Sequence, residues 1–381
     1  MRRLIMSDYP WDAVAGTQAF ITELFRGAAG DRPGCIVHPG PDTASAEEPP
    51  PGLTQSQTEV WRVAQSTRRR PLGGDDFVPA LSIGAGTCAL ATAFGCEETQ
   101  ASGVFWVKPC ISRVSEIDHL RLPPVTAGKL AGVLEQTRAY AEFADERLPI
   151  RIMDFQSPFT TVEQMLGSER FFLMPYDQPV RLHMLMDLVT DFSIAFYRAQ
   201  FAAAGPACCP GMWPPIWFPP CAGIQMSDDN LVNVSPAVYE EFVVPYNSRI
   251  ADAFGGLFLH SCTIREPCLE AIGKIRGLTG INCDISTSVS VPRLLEVFGD
   301  RAVIAPHAYI NTDTDFRSYA DFMRAALSGW RVWKRLFVYP CPVLYMKQTA
   351  TELPFNAAEV RQALGAIPGW RRDHGGEGVQ A

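Results

Sequence analysis

From Phe77 onward, short apolar runs alternate with longer stretches in which apolar residues recur every three or four positions. A short, wholly apolar run suits a strand buried on both faces, and a 3.6-residue period suits a helix covering it. Repeated alternation therefore predicts βα units on a mainly parallel sheet, an α/β protein. The expected strands are 77–83, 104–107, 150–155, 223–226, 257–260, 280–283, 302–305 and 336–339. Eight runs are what a (β/α)8 TIM barrel requires, although 104–107 reads equally as half of a hairpin inserted after the first strand.

Boundary signals sharpen the helices. Ser235 followed by Pro236 reads as an N-cap with proline at the first helical position, and Val238, Phe242, Tyr246, Ile250 and Phe254 then recur every four residues until Gly255. Pro245 lies inside that pattern and should kink it, because it lacks an amide donor. Residues 292–298 make a short helix stopped by Gly299, and residues 319–330 make a longer one. The first seventy-five residues differ in character. Two helices, 17–25 and 55–66, flank a Pro/Gly/Ser/Glu-rich stretch from Gly30 to Thr54 that should be loop. The expected organisation is an N-terminal extension, 1–75, packing on a barrel domain, 76–381.

In such a barrel the loops after the strands surround the active site, so polar residues at strand ends acquire functional interest. Asp154 and Gln156 follow the third run, Asp228 and Asp229 the fourth, His260 and Cys262 the fifth, Asp284 the sixth, His307 the seventh and Cys341 the eighth. The plainer explanation, that each caps a helix or satisfies a turn, serves Asp228, Asp229 and Asp313 as readily as a functional role does and suits a single His307 beside Pro306 better. It serves His260 and Cys262 less well. Positions i and i+2 of an extended chain point the same way, so an imidazole and a thiol leave one strand end together. With Cys341 they make a three-ligand set suited to Zn2+, and three protein ligands leave a fourth position open for an incoming group. A thiol bound there would lose its proton near neutral pH.

Composition narrows the classes. Hydrophobic residues are 47% and charged residues 19%, and no run has the length of a membrane span. The 33 lysines and arginines against 41 aspartates and glutamates give −8, which argues against nucleic acid as a partner. The basic run Arg68-Arg69-Arg70 reads as a solvated turn before Pro71. Eleven cysteines behind an N-terminus without an export signal point to reduced thiols in a cytoplasmic protein.

The segment Ser235 to Tyr246, reading SPAVYEEFVVPY, followed by a glycine turn, a strand and Leu259-His260-Ser261-Cys262, resembles the uroporphyrinogen decarboxylase superfamily. Within it the likeness is to the zinc-dependent methyltransferases that work with methyl-corrinoid proteins. Ser157 to Gly167, SPFTTVEQMLG, is similar to another segment of that family. The resemblance implies a (β/α)8 barrel, zinc on His260, Cys262 and Cys341, and methyl transfer from a corrinoid-carrying partner protein to a small thiol. It leaves Asp284 or Asp228 to orient the substrate and His307 to contact the acceptor. Thr263 stands where the family commonly has glycine after the His-x-Cys pair, and Pro306-His307 where it often has Gly-Asn, which bears on the substrate more than on the metal. Two alternatives remain open: a decarboxylase of a polycarboxylate, which needs a cationic cleft, and a non-catalytic binding protein stapled by zinc.

Overall fold

The computed structural model describes residues 3–28, 30–37, 48–70, 74–101, 104–308, 316–346 and 351–374. Asp313, residues 38–47 of the 30–54 stretch and residues 71–73 after Arg70 lie outside the described residues. The protein is α/β, helix-rich, with parallel sheet at its centre. Among the described residues no helix is long and apolar enough to cross a membrane.

Four consecutive apolar runs, Ile224–Ser227, Leu257–His260, Leu278–Asp284 and Val303–His307, pair in chain order into one four-stranded parallel sheet. Nearly every residue in them is buried, as expected of a sheet covered on both faces. Short parallel pairings continue on either side. Gln156 bridges Ser227, Ile150–Arg151 pairs with Cys208–Cys209, and Leu81 bridges Ile150. On the far side Ile304 bridges Leu336, and Phe337–Val338 pairs with Gly34–Cys35.

Among the described residues these pairings are separate pieces rather than the one closed ladder expected of a barrel. The physical reasons are local. Pro79 sits within the expected 77–83 strand and has no amide to donate, so only Leu81 joins a ladder. The Met153 amide bonds the Gln200 side chain instead of a neighbouring strand, and Pro210 follows directly on Cys209. Other expectations are also corrected. Gly34–Cys35, expected as loop, pairs as a strand, and Cys208–Cys209 joins the sheet unforeseen. Residues 104–108 form the hairpin alternative, antiparallel to Glu97–Ala101. The helix starting at Tyr319 ends at Ala326, not at residue 330.

The kink at Pro245 is a full break. Helix Pro236–Phe242, capped by the Ser235 hydroxyl on the Val238 amide, ends at Val243, and Val244–Phe254 starts anew with Pro245 in its first turn. Gly255 closes it in the left-handed conformation. A 26-residue helix, Pro179–Ala204, buries Leu182, Met186, Val189 and Phe196 against the rest. Gly223, at φ +73°, brings the first strand of the sheet against the second: a Cβ there would lie 2.0 Å from the Gly256 carbonyl oxygen. That contact sets the height at which both strands run to their polar ends.

Candidate functional site

Register explains why polar side chains gather. Gln156 lies opposite Ser227, Ser227 opposite His260, His260 opposite Asn282, and Asn282 opposite Ala305. Side chains at matched positions of parallel strands share a face, and so do residues two steps along. The row therefore carries a second row beyond it: Asp229, Cys262, Asp284 and His307.

His260 Nε2 lies 3.7 Å from Cys262 Sγ and 3.6 Å from Asp229 Oδ1, and among the described residues these three form a group whose ligand atoms all lie within 4.8 Å of one another. A tetrahedral zinc with ordinary bond lengths separates its nitrogen and sulfur ligands by about 3.6 Å, so the spacing fits such an ion. The imidazole is oriented from behind. Asn282 Nδ2 donates to the Ala305 carbonyl and, at 3.0 Å, to His307 Nδ1, which leaves Oδ1 to accept from His260 Nδ1 at 2.6 Å. His260 thus carries its proton on Nδ1 and turns the Nε2 lone pair toward Cys262 and Asp229, as a metal ligand does.

The group opens into a cavity of about 410 Å3. Asp154, Gln156, Trp213, Tyr339 and Cys341 share its wall. Trp213 and Tyr339 pack edge to face with ring centroids 5.6 Å apart. Cys341 lines the same cavity as expected but stands outside the tight group, while Asp229, for which the sequence left a turn role and a site role equally open, stands inside it. The Asp229 carboxylate also accepts the Cys262 amide at 2.9 Å, which holds the strand end in shape.

Three other expected site residues sit behind the wall. Asp228 turns away from the cavity: its carboxylate accepts from Tyr239 Oη (2.9 Å), Ser157 Oγ (3.1 Å) and Asn247 Nδ2 (3.3 Å), and burial pushes its pKa up to about 6 despite them. Asp284 bonds the Ser286 amide and hydroxyl. His307 is fully buried against Asn282 and Trp213, and burial and the nearby His260 hold its pKa well below the ordinary value. The structure thus brings His260, Cys262 and Cys341 to one cavity and leaves Asp228, Asp284 and His307 supporting it.

Charge follows burial. Desolvation raises the Cys262 thiol, with the Asp229, Asp284 and Asp154 charges adding to it, and raises Cys341 with help from Asp284. Asp154 is also raised, first by burial, against hydrogen bonds from Gln156 (2.7 Å) and Ser227 (3.2 Å). A cation among these groups would reverse the trend and release the thiol proton. Sequence reasoning missed Asn282 and Ser227. The available signal was the i, i+2 spacing from Asp284 and Asp229, the same spacing that drew attention to His260 and Cys262.

Residues 80–212 match the family model described as uroporphyrinogen decarboxylase (URO-D). Curated relatives named uroporphyrinogen decarboxylase, from Hydrogenovibrio crunogenus and Syntrophotalea carbinolica, are 29% and 32% identical to the chain over 156 residues. That stretch covers 39% of this chain and 39% and 40% of theirs, so the chain spans about two fifths of the length of the curated relatives it matches. A solved structure, a methyltransferase from Methanosarcina mazei, has a TM-score of 0.63 over 92% of this chain and 97% of that one at 18% identity, a likeness of fold. The family match includes Asp154 and Gln156 and ends before His260 and Cys262.

Proposed function

We propose that this chain, which residues 80–212 tie to the uroporphyrinogen decarboxylase superfamily, is a zinc-dependent methyltransferase. In this reading it moves a methyl group from a methyl-corrinoid protein to a small thiol. Its parallel pairings after residue 76 belong to a (β/α)8 barrel spanning 76–381, with 1–75 packed on it through the strand Gly34–Cys35. The observation carrying the proposal is the convergence of His260 Nε2, Cys262 Sγ and Asp229 Oδ1 at matched strand ends, facing a cavity large enough for a small substrate.

Bound to these residues, zinc would supply a Lewis acid that ionises an incoming thiol near neutral pH. Asn282 fixes the His260 tautomer. Asp229 both faces the ion position and braces the Cys262 backbone. Trp213 and Tyr339 exclude water from one wall, and Asp154 and Gln156 offer the polar contacts that orient a substrate, a role the sequence assigned to Asp228 or Asp284. Asp284 acts on both thiols through its charge, and His307 supports Asn282.

The names of the curated relatives favour decarboxylation of a polycarboxylate as the second reading. The cavity wall opposes it: Asp154 and Asp229 line it, and among the described residues no lysine or arginine does. Arg70, from the one basic run, is held by Asp75 at 2.6 Å.

Metal content tests the proposal. The protein should bind one zinc, and Cys262→Ala should lose it. Asp229→Ala and Cys341→Ala decide the third ligand, since the variant that loses zinc names the residue. A Cys262→Ala protein with its full zinc complement would overturn the reading.

A further inference from the structure

Asp154 is 8% exposed and lines the cavity. Its carboxylate accepts from two neutral donors, Gln156 and Ser227, and makes no ion pair with lysine or arginine among the described residues. A carboxylate so deeply placed is costly unless something positive approaches it. The rest of the wall suits the same visitor. Trp213 and Tyr339 line the same cavity, and aromatic rings attract cations through their faces. The metal group does not supply the missing charge: a divalent ion held by the Asp229 carboxylate, the Cys262 thiolate and neutral His260 would leave that group formally neutral. Among the residues lining the cavity, Asp154 would then be the carboxylate left without a cation.

We propose that the acceptor is a small thiol carrying a positively charged amine and no anionic group, with the amine held by Asp154 and Gln156 against the Trp213 and Tyr339 rings. This deepens the methyltransferase reading and rests on it. An ammonium donates to the Asp154 carboxylate and to the Gln156 side-chain oxygen. A carboxylate or sulfonate at the same place would meet Asp154 with like charge and find no lysine or arginine in the described wall. A zwitterion such as homocysteine has one group that fits and one that does not.

The test compares S-methylated probes, which do not strip zinc: 2-(methylthio)ethylamine against 3-(methylthio)propionate, by calorimetry on the full-length zinc-loaded protein. The amine should bind roughly 10- to 100-fold tighter, the range a charge-assisted hydrogen bond commands. Asp154→Asn should bring the two within about threefold while keeping its zinc. Equal binding of both probes to the unaltered protein, or an undiminished preference in Asp154→Asn, would overturn the inference whatever the metal content. If the protein takes up no zinc, the comparison runs on it as isolated. An Asp154-dependent preference surviving there upholds the cation site while the metal reading falls.

Discussion

Asn282 stands between two histidines, and its amide has one orientation that satisfies the Ala305 carbonyl, His307 and His260 together. Removing it frees the His260 ring to rotate and to change tautomer, so Asn282→Ala should lower zinc affinity 10- to 100-fold, the usual effect of losing such a supporting partner. Competition against a chromogenic chelator measures this; an affinity within twofold of the unaltered protein would show that the imidazole is oriented by something else. Asp228 makes the contrasting case. Its pKa is raised to about 6 in the fold against about 3.9 in the unfolded chain. Between those values the native state keeps a proton that the unfolded state has released. The stability this residue contributes therefore falls as pH rises from about 4 to about 6, by up to about 3 kcal/mol. Urea unfolding of Asp228→Asn should give a stability that gains on the unaltered protein across that window, with zinc affinity unchanged.

Strand ends are aligned by the close approach at Gly223, where the backbone at φ +73° leaves no room for a side chain against Gly256. Gly223→Ala forces the strands Ile224–Ser227 and Leu257–His260 apart and should cost about 1–3 kcal/mol for the backbone conformation alone, measured by urea unfolding, with zinc binding weakened in step. A neutral substitution would mean the sheet tolerates the shift. The same strands show how far the sequence carries. Leu257–His260 was legible to the residue because an apolar run ends in a polar pair, and the Ser235–Pro236 start and Gly255 stop are chemistry confined to single positions. Gly34–Cys35 was not: two residues inside a Pro/Gly-rich stretch have no period, and only the unpaired edge at Phe337–Val338 makes them a strand. Asp229 was visible but ambiguous, because a carboxylate after a strand looks the same whether it caps a turn or faces His260. Register decides that, and register belongs to two strands at once. Asn282 was hidden for the same reason.

Both ends of the described chain contribute to the scaffold. Arg32, buried, pairs with Asp76 at 2.8 Å and Asp373 at 2.6 Å, which ties the strand Gly34–Cys35 to the segment before the first apolar run and to the helix Pro368–His374. Those ties support the strand Phe337–Val338, and Cys341 follows it. Residues 32–35 of the expected N-terminal extension therefore brace the strand that leads to Cys341, through a pairing that the loop-like composition around them did not foretell. The whole arrangement, sheet, register and brace, converges on one claim: His260 and Cys262 hold a metal with a position open to a thiol. X-ray absorption at the zinc edge tests it most directly. The resting protein should show a mixed shell of nitrogen or oxygen with sulfur from Cys262, and adding a small thiol should add one sulfur. A shell that does not change when thiol is added would contradict the account.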